Sequence, residues 1–123
     1  MVVRYLFDTN TIIYLLGGRL AAGLPQGHYG LSVITEIELL SFPSLSVDEE
    51  TAIRTLLDSV EKLPLSDAVR DGAILLRRNN GLKLPDAIIA ATALEWGAVL
   101  LTNDSRMTSI AGITTQAVAL LQY

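Results

Sequence analysis

Apolar positions along this chain come in two textures, short unbroken runs and stripes at helical spacing, and the two alternate. Val2-Val3-Arg4-Tyr5-Leu6-Phe7 is nearly continuous in apolar character and rich in β-branched and aromatic residues, as a buried parallel strand is. Asp8-Thr9-Asn10 supplies N-cap chemistry, and Ile12, Ile13, Leu15 and Leu16 predict a helix that stops at Gly17-Gly18. Gly23, Pro25, Gly27 and Gly30 mark a loop. Leu31-Ser32-Val33-Ile34 predicts a second short strand, and Ile37, Leu39 and Leu40 a helix ending before Pro43. Ser46-Val47-Asp48-Glu49 fits a capping box and opens a helix with Ile53, Leu56, Leu57 and Val60 on one face.

The second half repeats the alternation. Lys62-Leu63-Pro64-Leu65 reads as an edge strand, and Ser66-Asp67 starts a helix through Ala73, Leu76 and Arg77, closed by Asn79-Asn80-Gly81. Pro85 suits a first helical position, with Asp86 beside it, and that helix runs from Ala87 to Trp96 under a Gly97 cap. Ala98-Val99-Leu100-Leu101-Thr102 is a further buried strand, followed by Asn103-Asp104. A last strand near Ile113-Thr114 and a helix from Thr115 to Leu121 complete the pattern. Residues 1–123 show no repeat, linker or low-complexity segment, so one domain is expected. Strands alternating with helices predict a three-layer α/β/α sandwich around a mostly parallel sheet.

Composition narrows the function classes. The 123 residues are 50% apolar and only 18% charged, below the roughly 25% usual for soluble domains, so apolar surface is expected to remain for a partner or for self-association. The absence of cysteine excludes disulfide scaffolds, thiolate nucleophiles and zinc–sulfur sites. Asp8 interrupts the first apolar run, which argues against a signal peptide, and no uncharged apolar stretch of about 18 residues is available to span a membrane. The expected compartment is the cytoplasm. A net charge of −4 argues against broad electrostatic binding to nucleic acid, but not against an enzyme that meets phosphates through metal ions.

In sheets of this kind ligands bind beyond the carboxyl ends of the strands. Asp8 directly follows the first strand and Asp104 follows the fourth by two residues; Glu36 and Glu38 lie just after the second, and Asp86 opens the helix before the fourth. Each acid taken alone reads first as a helix cap, a turn residue or solvated surface, and only their joint placement points to a site. Gathered at one edge, they would repel one another and raise each other's pKa values, a penalty that a bound Mg²⁺ or Mn²⁺ removes.

Leu6-Phe7-Asp8-Thr9-Asn10 resembles the opening motif of PIN domains, and Ser32-Val33-Ile34-Thr35-Glu36-Ile37-Glu38-Leu39 resembles their second motif. Leu84-Pro85-Asp86-Ala87-Ile88-Ile89-Ala90-Ala91-Thr92-Ala93 and Leu101-Thr102-Asn103-Asp104 look like the third and fourth. The four stand in register over nearly the whole chain, which is especially similar to VapC-type toxins of toxin–antitoxin systems. The resemblance implies a PIN-like fold and a metal-dependent endoribonuclease that hydrolyses RNA phosphodiesters with a metal-activated water. It carries the catalytic and metal-binding acids onto Asp8, Glu38, Asp86 and Asp104. Glu38 is preferred over Glu36 because the family's Glu immediately precedes a Leu; the two point about 200° apart on a helix. Asn10 and Thr102 would orient the acids or a bound water, with local capping the equal alternative.

The resemblance further implies a homodimer and a small antitoxin. The antitoxin would lie across an apolar groove and supply a basic side chain to the acidic site. Ile12, Leu15, Leu16, Leu39, Leu40, Leu56 and Leu57 are candidate groove walls or, alternatively, core. Met107 stands near where many relatives carry an aromatic residue, and no acid follows Asp104, so whether one ion binds or two stays open. Arg77, Arg78 and Lys83 form a basic cluster that reads as an RNA contact or as a solvated helix end, and His28 reads as surface. A phospho-receiver domain would need paired acids after the first strand and a lysine after the last, and a haloacid-dehalogenase-type phosphatase an Asp where Asn10 stands. A PIN fold acting only as a binding module is the remaining alternative.

Overall fold

The computed structural model describes residues 1–122. Five strands, β1 (Arg4–Phe7), β2 (His28–Ser32), β3 (Glu61–Leu63), β4 (Val99–Leu101) and β5 (Thr115–Gln116), form one sheet in the order β3-β2-β1-β4-β5. Every pairing is parallel. Parallel neighbours need crossover connections, and the helices supply them: α1 (Thr9–Leu16), α2 (Val33–Leu40), α3 (Val47–Ser59), α4 (Asp67–Asn80), α5 (Leu84–Trp96) and the short α6 (Ser105–Thr108).

Successive strand side chains point to opposite faces, so each strand feeds two cores. Leu6 and Leu100 face α4 and α5, where Val69, Ala73, Ala87 and Ile89 are buried. Tyr5, Phe7 and Leu101 face the other layer, with Ile12 of α1 and Ile53 and Leu57 of α3. The expected three-layer α/β/α sandwich is therefore present. Helix α5 is buried continuously from Ala87 to Ala93, and a helix apolar on all sides has no solvent face to offer. Helix α2 packs Ile34 on the first core and Leu39 in the second, so it sits across the end of the sheet.

Several boundaries differ from the sequence reading. The second strand begins at His28 and ends at Ser32, whose Oγ accepts from the Ile34 amide at 3.1 Å and starts α2 there. One apolar run thus crosses a strand–helix boundary, which periodicity alone does not reveal. Gly30, read as loop punctuation, lies inside β2, where a Cβ would come within 2.7 Å of Leu63 and 2.8 Å of the Trp96 ring. The edge strand runs Glu61–Leu63 rather than Lys62–Leu65.

The helix expected over 115–121 is absent. Thr115 and Gln116 extend the sheet as β5, and Leu120 forms an antiparallel bridge with Leu20. The backbone there is satisfied from elsewhere in the chain: Ala21 N–H donates to the Ala119 carbonyl at 2.9 Å and Leu121 N–H to the Arg19 carbonyl at 2.8 Å. A single short helix is marginal by itself, so these long-range partners decide the conformation. The last strand lies two residues beyond the expected Ile113-Thr114. Among the described residues no helix is long and apolar enough to cross a membrane.

Candidate active site

Strands β1 and β4 are neighbours, yet the chain proceeds from them toward opposite edges of the sheet. That is the topological switch point, where the loops beyond the carboxyl ends diverge and leave a crevice. The two ends are stitched together: Asp8 N–H donates to the Leu101 carbonyl at 3.2 Å, and the Thr11 hydroxyl donates to the same oxygen at 2.9 Å. Beyond them opens a cleft of about 380 Å³ lined by Asp8, Asn10, Glu38, Asp86, Asp104 and Arg106, among others. All four expected acids share it, although they come from four separate segments. Glu38 lines it and Glu36 does not.

Each acid is held differently. Asp8 is 8% exposed and N-caps α1, with Oδ1 accepting from the Thr11 amide at 2.8 Å. Glu38 receives a 2.6 Å hydrogen bond at Oε1 from the Thr9 hydroxyl. Asp86 stands in the first turn of α5, where the buried helix emerges into the cleft. Asp104 caps α6, and its own amide donates to the Thr102 hydroxyl at 3.1 Å. Fully buried Thr102 therefore fixes Asp104 through the backbone, while exposed Asn10 lines the cleft.

Arg106 was not singled out in the sequence. Its guanidinium grips both oxygens of Asp104, Nη2 to Oδ2 at 2.7 Å and Nε to Oδ1 at 3.2 Å, and Nη2 lies 3.5 Å from Asp86 Oδ2. The electrostatics divide accordingly. Hydrogen bonding to Arg106 holds the Asp104 carboxyl below its ordinary pKa. Burial pushes Asp86 up, with the carboxylates of Asp104 and Glu38 adding to the rise and Arg106 and Lys83 opposing it. Among the described residues, no three acids or histidines converge closely enough to hold an ion as they stand. The donor set is nonetheless all carboxylate oxygen, which suits a hard cation, and the burial and neighbouring carboxylates that disfavour charge on Asp86 are what a cation offsets. The residues present fit Mg²⁺ or Mn²⁺.

Thr9 was also overlooked, though its place directly after Asp8 in the first turn of α1 was a usable signal. Arg106, two residues beyond Asp104, gave no pattern apart from that proximity. The remaining candidates lie elsewhere. His28 begins β2 at the amino end of the sheet, away from the cleft, edge-on to Trp96 and 3.6 Å from Glu61. Arg77 Nε donates to the Leu82 carbonyl at 3.3 Å and closes the end of α4, and Met107 is buried in the core. Of the groove candidates, Ile12 and Leu57 are core, whereas Leu16 and Leu39 line an apolar groove of about 460 Å³ together with Ile13, Phe42 and Leu45. Ile13, Phe42 and Pro43 line both this groove and the acidic cleft.

The chain matches the PIN domain family over residues 5–113. No curated protein matches it. Among solved structures it is similar to a chain of a toxin–antitoxin complex from Klebsiella pneumoniae, at 32% identity and a TM-score of 0.75, covering 90% of this chain and 96% of that one. It is also similar to a chain of VapBC-1 from nontypeable Haemophilus influenzae, at 27% identity and a TM-score of 0.73, covering 94% and 98%. VapBC2 from Rickettsia felis, solved bound to a promoter DNA fragment, shares the fold at 19% identity and a TM-score of 0.78, over 94% and 99% of the chains.

Proposed function

The chain belongs to the PIN-domain family, and from that premise we propose that it is a divalent-metal-dependent endoribonuclease, the toxin of a toxin–antitoxin pair acting in the cytoplasm. The observation that carries this reading is the meeting of Asp8, Glu38, Asp86 and Asp104, from four segments, in one cleft at the switch point of the sheet. Two of the acids, Asp8 and Asp104, cap helices that follow neighbouring strands, but capping does not account for Glu38 of α2 lining the same cleft. These four would hold Mg²⁺ or Mn²⁺, which when bound supplies an acidified water and positive charge at the scissile phosphate.

The chain's own residues prepare the site. The Asp8 cap and its backbone bond to Leu101 fix the cleft floor, so the carboxylate is positioned by the fold rather than by substrate. Thr9 pins Glu38, and Thr102 pins the Asp104 backbone. Asn10 lies on the exposed lip of the cleft, where its amide can orient a carboxylate or a water. Unneutralised carboxylates would repel an RNA backbone, so substrate approach depends on positive charge in the cleft.

The apolar groove continuous with the cleft supports an antitoxin partner. A segment seated on Ile13, Leu16 and Phe42, each more than a third exposed, would reach the acids at once and bring a basic side chain to them. A second exposed apolar face, with Leu65, Ile74 and Leu84 between α4 and α5, supports the homodimer. Light scattering on the purified chain checks that state.

Cleavage of a pooled tRNA and ribosomal RNA substrate tests the function, with Mg²⁺, Mn²⁺ or chelator and with Asp86→Asn prepared identically. Metal-dependent cutting that disappears in the variant is expected. Cutting that persists in the variant points to a contaminant. If neither protein cuts this pool, the endonuclease reading gives way to a binding module.

A further inference from the structure

The acidic cleft already contains a cation, and it belongs to the chain. Among the described residues Arg106 is the one basic side chain within 4 Å of any of the four carboxylates, and it reaches two of them, Asp86 and Asp104. Its fork occupies both oxygens of Asp104 and leans on Asp86, so it takes up coordination positions that an ion would need. Its tether is short. Arg106 sits two residues beyond Asp104, its backbone amide donates to Asp104 Oδ1 at 2.9 Å, and α6 holds it at the rim.

We propose that Arg106 is a built-in competitor of the metal: it neutralises Asp86 and Asp104 in the metal-free protein and must swing out when the ion binds. The proposal rests on the metal-dependent reading above. Three features of the site make the exchange cheap. The Arg106 side chain is 55% exposed, so it can leave by rotamer changes alone, without moving the backbone. The pair is open to water on the Arg106 side, and a divalent ion carries twice the charge of the guanidinium it displaces. The Oδ1 of Asp8 and the Oε1 of Glu38 accept from Thr11 and Thr9, not from Arg106, so these two acids remain to receive the ion first. Once released, the guanidinium stays beside the cleft, where a phosphate would lie within its reach. The same side chain would guard the empty site and then greet substrate.

Mn²⁺ affinity measured by titration calorimetry on the intact protein tests this. Arg106→Gln should bind Mn²⁺ at least about twofold tighter than the parent, a lower bound taken from exposed pairs because this one is bidentate and half-buried. Lys83→Gln controls for field alone, because Lys83 acts on Asp86 and Asp104 through space. It should give less than half of that gain. Unchanged or weaker binding by Arg106→Gln would show that Arg106 positions Asp104 for the ion and would overturn the proposal. An equal gain from Lys83→Gln would overturn it too. Mn²⁺ binding by the parent that Asp104→Asn abolishes keeps the metal reading intact in either case, whereas no binding by any protein, Arg106→Gln included, overturns both. As an independent readout, the Arg106 Nε–H resonance should move toward the position of free arginine during a Mg²⁺ titration; a resonance that stays fixed through saturation refutes the exchange.

Discussion

Asp8 performs two tasks with one carboxylate, and a pair of substitutions separates them. Its Oδ1 caps α1 through the Thr11 amide at 2.8 Å in a nearly buried setting, and its charge faces the cleft. Asp8→Asn keeps an amide oxygen at the same position, and Asn caps helices as well as Asp does, so the cap survives while the charge is lost. Asp8→Ala removes both. The difference between the two variants isolates the cap, because the lost charge is common to them. Loss of a cap costs about 0.5–2 kcal/mol, and burial of the orphaned Thr11 amide favours the upper half of that range. At about 4 °C per kcal/mol for a domain of this size, Asp8→Ala should melt roughly 4–8 °C below Asp8→Asn in chelator. The metal task reads out separately. At 100 times its Kd, Mn²⁺ should stabilise the parent by about 2.7 kcal/mol, or roughly 11 °C, and should stabilise neither variant. Melting curves of the three proteins with chelator and with Mn²⁺ give every number required. An Asp8→Asn protein that melts with Asp8→Ala would refute the cap argument. One that keeps the full Mn²⁺ shift would remove Asp8 from the metal site.

Thr9→Val removes the hydroxyl that pins Glu38 while keeping the side-chain shape, and it should lower Mn²⁺ affinity or cleavage about 10–100-fold with little change in melting; unaltered affinity and cleavage would leave Thr9 no positioning role. Burial, then Asp104 and Glu38, hold Asp86 above its ordinary value of 3.8, so in the metal-free protein its contribution to stability is full below that value and is lost as pH rises through the raised one. Asp86→Asn should therefore gain on the parent as pH climbs through that window in chelator, and parallel melting profiles would contradict the cause assigned. Asp104 has the opposite sign: held low by Arg106, it contributes stability above the ordinary carboxylate value that is lost as pH falls, and Arg106→Gln should flatten that acid limb. Gly30→Ala should cost about 1–3 kcal/mol in denaturant unfolding, because the added methyl meets Leu63 and the Trp96 ring; a neutral result would mean that this contact relaxes freely.

The candidate acids were legible because strand ends are legible. A buried parallel strand reads as a continuous apolar run, and an acid placed at its end stands out against it, as Asp8 does after Phe7 and Asp104 after Leu101. The preference for Glu38 over Glu36 rests on the resemblance, because the family's Glu precedes a Leu; helical geometry says only that the two point apart, and in the structure Glu38, not Glu36, lines the cleft. The α/β/α layering followed from alternation alone, whereas the burial of α5 from Ala87 to Ala93 emerged only in the structure.

Tertiary structure decided whatever depends on which distant segments meet. Whether residues 115–121 form a helix turned on Arg19, Ala21 and Asn103 offering backbone and amide partners from far along the chain, and local propensity carries no record of those partners. Gly30 looked like a loop breaker because sequence does not show Trp96 closing over it. Arg106 was invisible as part of the site for the same reason. Its position beside Asp104 is local, but its approach to Asp86 requires α5 and the end of β4 to be brought together by the sheet. Sequence by itself determined which chemical groups stand at the strand ends, since that is a matter of order along the chain. Only the folded sheet, by setting β1 against β4, determined that those groups share one cleft and that an arginine is already among them.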